Sequence, residues 1–187
     1  MEEELEMLFS LTKDSMEESI DHLEKELLKI RAGKANPAIF EGVNVEYYGT
    51  MTPLSQVSNI NTPDARTLSI QPWEKSLLEE IERAIINSNL GLNPQNNGEL
   101  IIISLPALTE ERRGQLVKMA RSEGENAKVS IRNARKDAND NLKKLQKDGL
   151  SEDRVKDSET EVQELTNSYS KRVDDLIDHK EKDIMTV

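Results

Sequence analysis

The 187-residue chain has no cysteine, which excludes disulfides, thiolate metal sites and a cysteine nucleophile. Aromatic residues make up 3% of it, too few for a compact β core to dominate, so helices are expected to carry the architecture. The only two histidines, His22 and His179, sit among charged residues of helical pattern and are expected to face solvent. No apolar run approaches the ~20 residues of a membrane span. The first stretch, MEEELEMLFSLTKDSMEE, is acidic, where export and transit signals are basic or poor in acids. No membrane partner and a cytoplasmic location are therefore expected. Metal-ligand clusters, a phosphate-cradling glycine loop and a Ser/His/Asp order are also missing from the sequence, so a hydrolase drawing on the many carboxylates has no visible site.

Positive charge is scarce as well, and it is placed. The chain carries 25 Lys and Arg against 36 Asp and Glu, a net charge of -11. Residues 112 to 147, RRGQLVKMARSEGENAKVSIRNARKDANDNLKKLQK, hold 11 of the cations against four acids, Glu123, Glu125, Asp137 and Asp140. The stretch is therefore +7 in a remainder of -18. Advancing each residue by about 100° gathers Leu116, Ala120, Ala127, Ile131, Ala134, Ala138, Leu142 and Leu145 into an apolar seam. Lys118, Arg121, Lys128, Arg132, Arg135, Lys136, Lys143 and Lys147 fall on an adjacent arc of roughly 120°, with Glu125 as the one acid among them. A solvated helix face fits this arrangement. So does an anionic partner, and segregation within an acidic protein favours it.

In order along the chain, Leu5, Leu8, Met16, Ile20, Leu23, Leu27 and Ile30 recur at three- and four-residue steps with Thr12 between, predicting a helix over residues 1 to 30 that needs partner helices. Its charge of -7 offers nothing to a nucleic acid. Gly33 and Pro37 break the pattern. Short strands limited by prolines are expected in VNVEYYG, MTPLSQV and RTLSIQP, then a helix from Glu74 to Leu90, the turn GLNPQNNG and the strand ELIIISLP. Asn93, Asn96, Asn97, Gly91 and Gly98 read as turn formers, and Trp73, the only tryptophan, as a packing residue. Helical pattern returns with Thr109 as N-cap. After Gly149, Ser151 caps a last helix whose stripe is Val155, Val162, Leu165, Tyr169, Val173, Leu176 and Ile184.

Three long helices, each with one apolar stripe, predict an α+β protein: a three-helix bundle of residues 1–30 and 109–187 with a small mixed β/α domain, residues 31–108, inserted into it. The two crossings, 31–34 and 105–108, are expected to act as a hinge at Arg31, Ala32, Gly33, Leu105 and Pro106, joining an elongated, bent molecule.

KIRAGKANP, VEYYGTMTPL, LGLNP, LPALTEERR and ARSEGENAKVSIRNARKDAND, in this order and spacing, resemble the ribosome recycling factor family over nearly the whole chain. The resemblance implies an L-shaped, two-domain protein of transfer-RNA-like outline that is no enzyme. It implies that the helical domain binds ribosomal RNA of the large subunit across the peptidyl-transferase region, and that elongation factor G with GTP then drives subunit separation. The protein would carry no cofactor of its own and act as a monomer. The RNA-facing positions it implies are Arg31, Arg113, Arg132 and Arg135, and the cationic arc extends the track through Arg121, Lys128 and Lys136. The sequence departs from the family's pattern at Lys34 and Lys136, where arginine is frequent and a lysine keeps the charge without the forked geometry. The first helix is also unusually acidic, which predicts RNA contact confined to the second. A helical adaptor or chaperone would share the acidic coiled-coil composition but leaves the basic stripe without a purpose.

Overall fold

A computed structural model describes residues 1–30 and 33–186. Its first helix, α1 (Glu2–Lys29), starts with Glu2, Glu3 and Glu4 in the first turn, where carboxylates oppose the positive end of the helix dipole. Its buried line is Leu5, Leu8, Thr12, Met16, Ile20, Leu23 and Leu27. Thr12 is tolerated in that line because its hydroxyl donates to the Leu8 carbonyl at 2.7 Å, so no polar group is left unbonded.

The intervening residues form β1 (Asn44–Tyr47), β2 (Thr50–Pro53), the single turn α2 (Leu54–Val57), β3 (Ser58–Asp64), β4 (Thr67–Pro72), α3 (Leu78–Asn87), β5 (Pro94–Asn96) and β6 (Ile101–Ser104). The β1–β2 hairpin turns at Tyr48 and Gly49, both at positive φ (47° and 77°), as a two-residue turn matched to strand twist requires. The other strands make one antiparallel sheet in the order β3-β4-β6-β5. Register pairs Ile60 with Ile70, Ile70 with Ile101 and Leu68 with Ile103. Leu68, Ile70, Ile101 and Ile103 bury fully together with Ile81 and Ile85 of α3.

Several expectations for this region need correction. MTPLSQV is not one strand: it turns helically after Pro53. The helix expected from Glu74 begins only at Leu78, after a short 3-10 turn. Pro94–Asn96, read as turn, is an edge strand, and the polar segment Ser58–Asp64 is the opposite edge. Both edges carry a proline, Pro63 or Pro94, which suits strands with one unpaired side. Trp73 does not pack: it is 69% exposed.

Two long helices complete the chain, α4 (Glu110–Lys147) and α5 (Glu152–Met185). At 38 residues, α4 is roughly 57 Å long. It ends in a Schellman turn: Gly149 takes φ 112°, its N–H donates to the Gln146 carbonyl, and the Leu150 N–H donates to the Leu145 carbonyl. The Ser151 hydroxyl then accepts from the Arg154 N–H at 3.3 Å and starts α5. In the α4 seam Leu116, Ala120, Ala127, Ile131, Ala134, Ala138 and Leu142 are buried as the periodicity predicts, and Gly124 joins them; Leu145 packs at the edge.

The α5 stripe differs from expectation. Leu165 and Leu176 are only half-buried, while Ser158, Thr166 and Ile177 occupy the buried line. A strict seven-residue repeat from Val155 drifts by about 20° per heptad on a straight helix, so by the third repeat Leu176 has rotated to the flank and Ile177 has replaced it. Thr166 is satisfied by the Val162 carbonyl at 2.7 Å.

The chain divides into two compact units, Met1–Ala32 with Glu110–Val187, and Gly33–Thr109. Among the described residues no helix is long and apolar enough to cross a membrane.

Candidate nucleic-acid interface

The cationic arc of α4 resolves into two rows once α5 is in place. The inner row, Arg121, Lys128 and Arg135, repeats every seven residues and faces α5. Arg121 pairs with Glu181 through two contacts, one of them Nη2 to Oε2 at 3.3 Å. Lys128 Nζ meets Asp174 Oδ1 at 2.5 Å. Arg135 Nη1 donates to Gln163 Oε1 at 3.2 Å. Hydrogen bonding to Glu181 holds the Arg121 guanidinium above its ordinary pKa, and the same contact holds Glu181 below the usual carboxylate range.

The outer row is different. Lys118, Arg132, Lys136, Lys143 and Lys147 are exposed, and none of them forms an ion pair among the described residues. Five exposed cations on one helical flank, with Glu125 the one acid among them, produce a net positive potential that α5 does not cancel. Arg132 presents a planar fork that can take two oxygens of one phosphate; Lys136, one turn on, adds a point charge.

Arg113, in the first turn of α4, projects toward the seam rather than the arc. It is half-buried, and its Nε has no hydrogen-bond partner among the described residues. Arg31 and Ala32 lie outside the described residues. Of the other expected hinge residues, Leu105 is tied into the sheet unit by its N–H to the Arg66 carbonyl at 2.7 Å, while Pro106 is exposed. Gly33 has φ 70°, and a Cβ there would lie 2.7 Å from Leu108 Cγ, so both conformation and space exclude larger residues.

Sequence reasoning missed the α5 side of the site, Gln163, Asp174 and Glu181, and also Gly124. A Cβ at Gly124 would sit 2.7 Å from Ile177 Cγ1; the glycine lets the two helices approach beside the Arg121 and Lys128 pairs. The seven-residue step from Asp174 to Glu181 matches that from Arg121 to Lys128, a detectable signal only if the antiparallel pairing of the helices is already known.

The profile of the family described as Ribosome recycling factor matches residues 23–185. The ribosome-recycling factor of Flavobacterium johnsoniae is 58% identical over 187 residues, covering all of both chains. The chain belongs to the ribosome recycling factor family. Among solved structures, one described as the solution structure of the ribosome recycling factor shares the fold with a TM-score of 0.81 at 36% identity, over 98% of each chain. A second, a Thermus thermophilus ribosome recycling factor described with E. coli elongation factor G as bound to the E. coli post-termination complex, aligns with a TM-score of 0.66 at 44% identity over 97% of this chain and 99% of that one. Both agree with the α+β fold of helical bundle and small β unit.

Proposed function

We propose that this chain is a ribosome recycling factor: it binds the large ribosomal subunit of post-termination complexes and, with elongation factor G and GTP, promotes separation of the subunits for a new round of translation. The observation that carries this reading is the full-length match to the family together with a net-positive row, free of ion pairs to α5, on one helix of an otherwise acidic protein. On this reading the protein is no enzyme. GTP is hydrolysed by the partner factor, and the protein works in the cytoplasm, where ribosomes are.

Arg132, Arg135 and Lys136 form the centre of the contact with ribosomal RNA. Arg121 and Lys128 join it at the cost of exchanging an α5 carboxylate for a phosphate, a small cost because exposed ion pairs are worth roughly 0–1 kcal/mol. Arg31 and Arg113 join the contact only on the family resemblance, since Arg113 projects toward the seam rather than the arc. The connecting segments at Arg31, Ala32, Gly33, Leu105 and Pro106 serve as the hinge, with Leu105 as its anchored side. The deciding experiment is subunit splitting of post-termination ribosomes by this protein with and without elongation factor G and GTP. Splitting only with all three components supports the reading; no splitting under any condition, by folded protein, rejects it.

A further inference from the structure

The inner row of α4 has three rungs, and they are not alike. Arg121 and Lys128 face carboxylates, Glu181 and Asp174, whereas Arg135 faces the neutral amide of Gln163. A carboxylate cancels the cation it holds and competes with a phosphate for it. An amide oxygen accepts one hydrogen bond and leaves the formal charge intact, along with four of the five guanidinium N–H donors. Gln163 is itself oriented: its Nε2 donates to Asn167 Oδ1 at 2.8 Å, one turn along α5. With the amide nitrogen committed to Asn167, the oxygen is the end turned to Arg135. Asn167, Gln163 and Arg135 thus make a short relay that restrains a mobile side chain without neutralising it, three residues from the unpaired Arg132.

We infer that Gln163, backed by Asn167, is a positioning residue for the contact between Arg135 and a phosphate of ribosomal RNA, and that its neutrality selects Arg135 from the inner row as the RNA-gripping cation. The inference rests on the proposed RNA contact of α4. Fixing the guanidinium in advance removes side-chain entropy that binding would otherwise cost. Gln163 never touches RNA.

The test is equilibrium binding of the full chain to purified large ribosomal subunits across a salt series, with thermal melts as the folding control. Gln163→Met keeps shape and charge but removes the acceptor. It should weaken binding roughly three- to tenfold, the size of one lost hydrogen bond, with an unchanged salt slope, and have no further effect in an Arg135→Ala background. Gln163→Glu should weaken binding and flatten the dependence of log affinity on log salt by roughly 0.7 to 0.9, as if one phosphate contact were lost. Equal weakening by Gln163→Met with and without Arg135, or unaltered binding by both Gln163 variants, overturns the positioning role. Normal binding by both Arg132→Ala and Arg135→Ala would instead show that the RNA contact itself is misplaced, and the inference falls with it.

Discussion

The helical unit and the β unit solve the same problem of burial with opposite economies of charge. In the helical unit each long helix devotes one line of side chains to the core and leaves about two-thirds of its surface for charge, which can then be sorted by helix: acids on α1, cations on the outer flank of α4. In the β unit, residues 33–109 hold four Lys and Arg against eight acids, with no cationic face. A helix can carry a partner-specific stripe at no cost to its seam. Short strands with one buried face have no such spare length, so RNA binding is expected of α4 and not of the sheet.

The largest test of that division is Ile131→Ala. Ile131 is fully buried in the α4 seam, so truncation should cost about 2–5 kcal/mol, read by thermal or denaturant melts, while hydrogen exchange in β3–β6 stays protected. Loss of protection in the sheet at the same denaturant concentration would show that the two units fold as one. Arg132→Ala, on the exposed row, should do the reverse. Stability should stay within about 0.5 kcal/mol, while affinity for large subunits falls about tenfold or more, the value of a charge-assisted hydrogen bond. The unmodified protein should itself lose affinity steeply with added salt, because each neutralised phosphate releases counterion; flat binding between low and moderate salt would remove the electrostatic contact altogether.

Gly124→Val sharpens the account of the α4–α5 contact. The added atoms meet Ile177 at less than van der Waals distance, and overpacking of this kind costs about 1–3 kcal/mol, offset in part by better helix propensity. A more stable variant would mean that Ile177 swings aside freely. The smallest effect is expected at Glu17 on α1, which accepts from Tyr169 Oη at 2.7 Å and from both Arg172 Nη atoms at 2.9 and 3.0 Å. The Arg172 guanidinium beside it, and then the Tyr169 hydroxyl, pull its carboxyl from 4.5 down to about 2. Since the folded chain binds this proton less readily than the unfolded one, the contribution is complete above pH 4.5 and fades as pH falls toward 2. Glu17→Gln should lower the melting temperature slightly at neutral pH, with the gap to the parent protein closing across that window. A gap that persists below pH 2 would assign the effect to packing against Tyr169. Because the Glu17 side chain is 42% exposed, salt should shrink the difference.

Much of the helical unit was legible in the residues alone, since an amphipathic helix writes its own phase: the seams of α1 and α4, the break at Gly33, the stop at Gly149 and the cap at Ser151 all follow from local spacing. So did the segregation of cations onto α4. Edge strands do not write themselves in this way. Ser58–Asp64 has a single aliphatic residue, Ile60, and exists as a strand because β4 offers it backbone partners; Pro94–Asn96 likewise depends on β6. Trp73 was misread because a lone aromatic carries no period from which its direction can be inferred.

The division between sequence and tertiary structure is clearest along the inner row. Periodicity alone set Arg121, Lys128 and Arg135 on one line beside the α4 seam, because their angle about the helix axis depends only on their spacing. Which of them keeps an uncancelled charge depends on what the neighbouring helix sets opposite: Glu181, Asp174 and Gln163 are 60, 46 and 28 residues away in the chain. No local pattern reaches that far. The rotation and axial offset of α5 against α4 are decided by how two seams interlock, at Gly124 and Ile177 among other places, and only the packed bundle contains that information.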